Sequence, residues 1–177
     1  MKAFTTHYGG IRNVLNTKAG IGKPIETILS SIPEPLNEYQ AIWDTGATNC
    51  VITQKVVRDC DLKPTGMQRV YTPSGEDWQE TFLISLYLPN KVVFPSVRVT
   101  QGKLSGDSEI LIGMDIINQG DFAVSNYGGR TLLTFRIPSI GVGDFVKDIQ
   151  KGRNSGLTVT GQTGPNRATR RKKKKSR

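Results

Sequence analysis

The chain has 177 residues, 36% of them hydrophobic, which suits one compact domain with appendages. No apolar run approaches the roughly 20 residues of a bilayer span, the start lacks a secretory apolar stretch, and two cysteines make no disulfide framework; a cytoplasmic protein with reduced Cys50 and Cys60 is expected. The net charge is +9, yet eight basic residues fall between Pro165 and Arg177 without an acid, so the other 164 residues carry +1. The basicity therefore belongs to a tail and excludes a broad basic groove on the fold.

Along the chain, Arg12 to Gly22 contains a predicted strand, and Ile32-Pro33-Glu34-Pro35 reads as a rigid extended connector. Thr53 to Cys60 is a short helix with Thr53 as its cap and Val56, Val57 and Cys60 on one face. Phe82, Ile84, Leu86 and Leu88 alternate as in a half-buried strand, Pro89-Asn90 turns the chain, and Val93, Val97 and Val99 continue in the next strand. Met114 to Gln119 is a second short helix, ended by Gly120. Tyr127-Gly128-Gly129 marks a hairpin into a strand from Arg130 to Ile137. A third helix runs from the capping Asp144 to about Lys151. From Gly152 the composition becomes that of a linker, then of a Lys/Arg run, and disorder is expected there.

The segment with chemical content is Ala41-Ile42-Trp43-Asp44-Thr45-Gly46-Ala47-Thr48. An apolar strand here ends in a carboxylate, with Thr45 able to anchor the turn and Gly46 able to bend it and admit a close neighbour. An ordinary strand-ending turn has the same residue types. Some 65 residues later comes Ile110-Leu111-Ile112-Gly113, followed by Met114-Asp115.

Together these two segments resemble the retropepsin family of aspartic proteases, over roughly residues 38–138, and are most like its cellular and bacterial members. The resemblance implies a mostly β fold, an acid-protease β-barrel with short helices and one lobe per chain. It implies Asp44, Thr45 and Gly46 as the catalytic turn, with Leu111 and Gly113 supporting it from a segment threaded beside it. It implies substrate contacts from Ala47, Thr48 and Ile112, and from a flap at Val70–Trp78 through Thr72, Ser74 and Gly75. An ordinary surface hairpin also fits that stretch. Viral members commonly pair an acid and an arginine at the positions held here by Thr48 and Met114; both partners are replaced together, which puts viral-type substrate preference in doubt.

The aspartic mechanism needs two carboxylates sharing a proton, and this chain has one Asp-Thr-Gly. The second carboxylate must come from another copy, so a symmetric homodimer acting on a protein or peptide substrate is expected. Nucleophilic triads are excluded because His7 is the only histidine, read as a solvated terminal residue. No metal or cofactor is expected: one histidine and two cysteines ten apart make no zinc site, and Ala19-Gly20-Ile21-Gly22-Lys23 lacks the spacing of a phosphate loop. The expected organisation is an N-terminal extension over 1–37, the catalytic domain over 38–151 and a basic tail over 152–177. The main rival to an endopeptidase is a catalytically weak module of the same fold that binds peptides or dimerises. The tail is either a solubilising extension or a tether to nucleic acid or an anionic surface.

Overall fold

The structure is a computed structural model that describes residues 1–25, 33–72 and 75–154. Its residues fall into two compact units, Met1–Gly141 and Val142–Arg177. The first unit is mostly β, as expected. Its strands are β1 (Lys2–His7), β2 (Asn16–Gly22), β3 (Asn37–Trp43), β4 (Val51–Ile52), β5 (Gly66–Thr72), β6 (Gly75–Leu88), β7 (Val92–Gln101), β8 (Ile110–Ile112), β9 (Asp121–Ser125) and β10 (Leu132–Ile137). Two short α-helices interrupt them, α1 (Gln54–Asp59) and α2 (Met114–Ile117), and a 3-10 turn, Tyr127–Gly129, joins β9 to β10 at the predicted hairpin. The described part of the second unit contains α3 (Phe145–Asn154).

The larger sheet runs β2-β3-β8-β4-β7-β6-β5, and β2 pairs again with β6. That extra pairing, Gly20 with Tyr87 through Gly22 with Ser85, closes the first six of these strands into a barrel. Closure removes the open edges that would otherwise recruit another chain. Strand β5 stays outside as the hairpin partner of β6. Phe82, Ile84, Leu86 and Leu88 are all buried, as their alternation predicts, but Thr81 and Ser85 are buried as well and a bulge falls between Ile84 and Leu86, so the strand is not half-exposed there. Asn90 and Lys91 take left-handed backbone (φ 59° and 56°), so the turn between β6 and β7 has the mirror-image geometry that suits strand twist.

Within the stretch expected as an N-terminal extension, residues 1–25 contain β1 and β2. Strand β1 pairs antiparallel with β10, which pairs with β9. His7, expected in a solvated terminus, is exposed but sits in β1 opposite Leu132. Only Phe4 of β1 is buried, and it joins Trp43, Phe122 and Phe135 in an aromatic cluster with ring centroids 5.3–6.1 Å apart. Both cysteines are free and buried. Thr53 precedes α1, but its hydroxyl bonds the Glu109 carboxylate instead of capping the helix. Helix α3 continues to Asn154, three residues beyond the expected boundary; residues 155–177, where disorder was expected, lie outside the described residues.

Candidate active site

Strand β3 delivers Asp44 to the surface from a rigid base. Trp43 is buried within the aromatic cluster, its Nε1 donates to Thr17 Oγ1 at 3.0 Å, and its backbone N–H donates to Leu15 O at 2.9 Å. The next residue, Asp44, is half-buried, while Thr45 and Gly46 are exposed. Gly46 N–H donates to Asp44 Oδ1 at 2.8 Å, and Ala47 N–H donates to Asp44 O at 3.3 Å. A Cβ on Gly46 would lie 3.2 Å from Asp44 Oδ1, so the glycine lets the carboxylate fold onto the turn. Thr45 was expected to anchor this turn. Its hydroxyl has no hydrogen bond among the described residues; within the turn, Gly46 N–H donates to the Asp44 carboxylate.

Strand β8 fastens the loop from below. It lies parallel to β3 (Trp43 opposite Ile112) and antiparallel to β4 (Val51 opposite Leu111). Asp44 N–H donates to Ile112 O at 3.0 Å, Met114 N–H to Ala47 O at 2.8 Å, and Asp115 N–H to Thr48 O at 3.1 Å. Gly113 fits between: a Cβ there would stand 2.7 Å from both the carbonyl carbon and oxygen of Asn49 and 3.0 Å from Ala47 O. Gly113 thus stands at a close backbone crossing.

Ile112 and Leu111 point to opposite sides of β8. Successive residues of a strand face opposite ways. Ile110 and Ile112 are fully buried in the barrel core, whereas Leu111 is partly exposed and lines a cavity. Ile112 therefore supports the turn through its backbone, and Leu111 faces the open side.

That cavity, about 750 Å³, lies between the β5–β6 hairpin and the β4, β7 and β8 side of the barrel. Val51, Val70, Leu104 and Leu111 give it apolar walls; Glu76, Asp77, Gln79 and Lys103 give it polar ones. Gly75 also lines it and has φ 124°, a conformation favouring glycine. The hairpin coincides with the stretch predicted as a flap, though Pro73, Ser74 and the Thr72 side chain lie outside the described residues. Ala47 is partly buried and Thr48 exposed; neither lines the cavity. Val51 and Leu104 went unnoticed in the sequence, where only proximity in the fold marks them.

Asp115 was also missed as a site residue, although it ends the Gly113-Met114-Asp115 run. Its Oδ2 accepts Cys50 N–H at 3.0 Å, and its Oδ1 accepts the Cys50 thiol at 3.2 Å and Ile116 N–H at 3.1 Å. Gly113 N–H in turn donates to Cys50 Sγ at 3.4 Å. Burial, then the neighbouring Asp115 charge, pushes the Cys50 thiol well up from its ordinary value, which keeps it a neutral donor. Asp115 ties the end of the Asp44 loop to α2. The fastening works without the acid–arginine pair, since Thr48 bonds through its backbone and Met114 packs against the core.

No family model matches the chain, and no curated protein matches it. Among solved structures it is similar to a retropepsin-like aspartic protease from Rickettsia conorii (14% identity, 77% of this chain and 94% of that one, TM-score 0.48). It is also similar to the EIAV protease complexed with the inhibitor HBY-793 (12% identity, 63% and 90%, TM-score 0.44). A third is the retroviral protease-like domain of Ddi1 from Leishmania major (14% identity, 64% and 82%, TM-score 0.41).

Proposed function

We propose that the chain is an aspartic endopeptidase whose active centre forms when two copies bring their Asp44 side chains together. The observation that carries this is the mounting of Asp44. A half-buried carboxylate stands at the end of a rigid strand, and a segment some 65 residues away fastens its loop by three backbone hydrogen bonds. An ordinary turn has no need of such support. Only one Asp44 oxygen is engaged within the chain, by Gly46 N–H, among the described residues.

In the dimer, two neighbouring carboxylates cannot both ionise cheaply, so they hold one proton between them. The ionised one takes a proton from water as it attacks the scissile carbonyl. The protonated one donates a hydrogen bond to the carbonyl oxygen, where negative charge develops. In this reading the second copy approaches over Thr45 and Gly46, whose exposure supports it. The β5–β6 hairpin serves as the flap, and Val51, Val70, Leu104 and Leu111 receive an apolar side chain of the peptide.

A peptide-cleavage assay from acidic to neutral pH, with Asp44→Asn as control, tests this reading. Asparagine keeps an oxygen for Gly46 N–H, so the fold and melting temperature are expected to stay while cleavage disappears. A folded Asp44→Asn protein that cleaves like the parent refutes it. One observation favours the second reading, a peptide-binding module: the cavity does not include Asp44. Peptide binding that persists without cleavage in both proteins establishes that alternative.

A further inference from the structure

Helix α3 carries an apolar stripe that is exposed among the described residues. Phe145, Val146 and Ile149 are 76%, 65% and 49% exposed, and Val142 just before the helix is 90% exposed. At about 100° per residue the three helical side chains fall within an arc of about 100°. Lys147 and Lys151 fall on the opposite side. The helix start is well made: Asp144 Oδ1 accepts the N–H groups of Val146 and Lys147, each at 3.1 Å. Such a face, set on a capped helix, is suited to docking on an apolar or interfacial surface.

The sequence that follows narrows which surface that is. After Arg153 there is no charged residue until Arg167; then come eight Lys and Arg residues with no acid. An apolar helix face alone suits a lipid surface or a second copy of the chain. A polybasic segment alone suits a lipid surface or nucleic acid. An anionic lipid surface uses both, the apolar face entering the headgroup boundary and the basic residues meeting negative headgroups. Two moderate signals are also what stable peripheral attachment requires, since a single one binds marginally.

From this pairing we infer that α3 and the basic segment over 165–177 dock the chain peripherally on an anionic lipid bilayer. No described helix is long and apolar enough to cross one, so attachment through α3 is to the surface. The inference is independent of the proposed protease activity, because none of these residues belongs to the Asp44 site. Its consequence is a restricted field of action: the chain would meet targets held at the same surface.

The test is co-sedimentation of the full chain with vesicles, using the Asp44→Asn form to prevent self-cleavage. Vesicles contain phosphatidylcholine alone or with about one-third phosphatidylserine. Binding is expected on the anionic vesicles, on the order of 100-fold tighter than on the neutral ones, and reversed by high salt. Replacing Lys172–Lys175 by glutamine is expected to weaken it by on the order of 100-fold or more. Phe145→Ser with Ile149→Ser is expected to weaken it about tenfold with the tail intact. These two positions are exposed, so the variant should fold, and the lysine variant is an independent arm. Equal binding to both vesicle types, no binding, or undiminished binding by the serine variant overturns the inference. So does a serine variant whose sedimentation shifts from dimer to monomer, which assigns the face to a second copy. Duplex DNA bound more tightly than the anionic vesicles, with no effect of the serine pair, assigns the tail to nucleic acid and overturns it as well.

Discussion

Gly113→Ala is the sharpest probe of the loop that carries Asp44. Gly113 has φ −95° and ψ −173°, extended backbone open to any residue, so its requirement for glycine is purely steric. The added Cβ would stand 2.7 Å from the Asn49 carbonyl carbon and oxygen and 3.0 Å from Ala47 O. Ordinary van der Waals contact begins at 3.4 Å, so the backbone must retreat by about 0.7 Å. These are backbone atoms within the loop whose other end is Asp44, and no rotamer change relieves the clash. Overpacking of this kind costs about 1–3 kcal/mol, or roughly 3–10 °C in melting temperature for a domain of this size. A catalytic group displaced by nearly 1 Å loses rate by about a hundredfold. If the proposed endopeptidase reading holds, activity is therefore expected to fall far more than stability. Melting temperature and kcat/KM are measured on the same preparation, with the dimer verified by sedimentation. A folded, dimeric Gly113→Ala protein with the parental kcat/KM refutes the claim that β8 and its glycine position Asp44.

Asp115→Ala strands the buried Cys50 N–H and frees the loop end; a loss of about 1–3 kcal/mol in chemical denaturation is expected, with Asp115→Asn intermediate. Because the proposed site is shared, specific activity should fall as the chain is diluted through its dimer dissociation constant; a constant rate per chain in a sample that sediments as monomer contradicts sharing. Asp121 is held at about 2 by Ser139, the Ile140 N–H and Arg136. A folded-state pKa below the ordinary 3.8 means that this stabilisation is present above about 4 and is lost as pH falls through about 2. An acid titration of stability should therefore be shallower between those values in Asp121→Asn than in the parent, and identical slopes would remove Asp121 from the acid transition.

What the sequence made legible was local or periodic. The apolar positions from Phe82 to Leu88 and the carboxylate after an apolar strand are each encoded within a few residues, whereas the role of Gly113 came only from the family resemblance, because its neighbours Asn49 and Ala47 lie some 65 residues away. Pairings between distant segments were not. Strand β1 has one buried side chain and no strong pattern, and its partner β10 lies about 130 residues away, so only the assembled aromatic cluster reveals why it is a strand. Asp115 carries no mark of its role in a short helix until Cys50 is brought beside it. The burial of Ile112 and the outward face of Leu111 follow from strand alternation, since Ile112 shares its face with buried Ile110. The resemblance to a family supplied the segment but not which of its side chains faces out.

Strand β8 is three residues long, too short to persist by itself, and exists only while β3 flanks it on one side and β4 on the other. The loop bearing Asp44 is consequently not an independent element. Any fluctuation that releases β8 also releases the carbonyl that receives Asp44 N–H and the amides of Met114 and Asp115. These three amides should exchange with deuterium as one cooperative unit, at a common opening free energy. The molecule then has no partly formed version of this centre: it is either assembled with the barrel or absent, and a chain still emerging from synthesis cannot mount its carboxylate before residue 115 has been made.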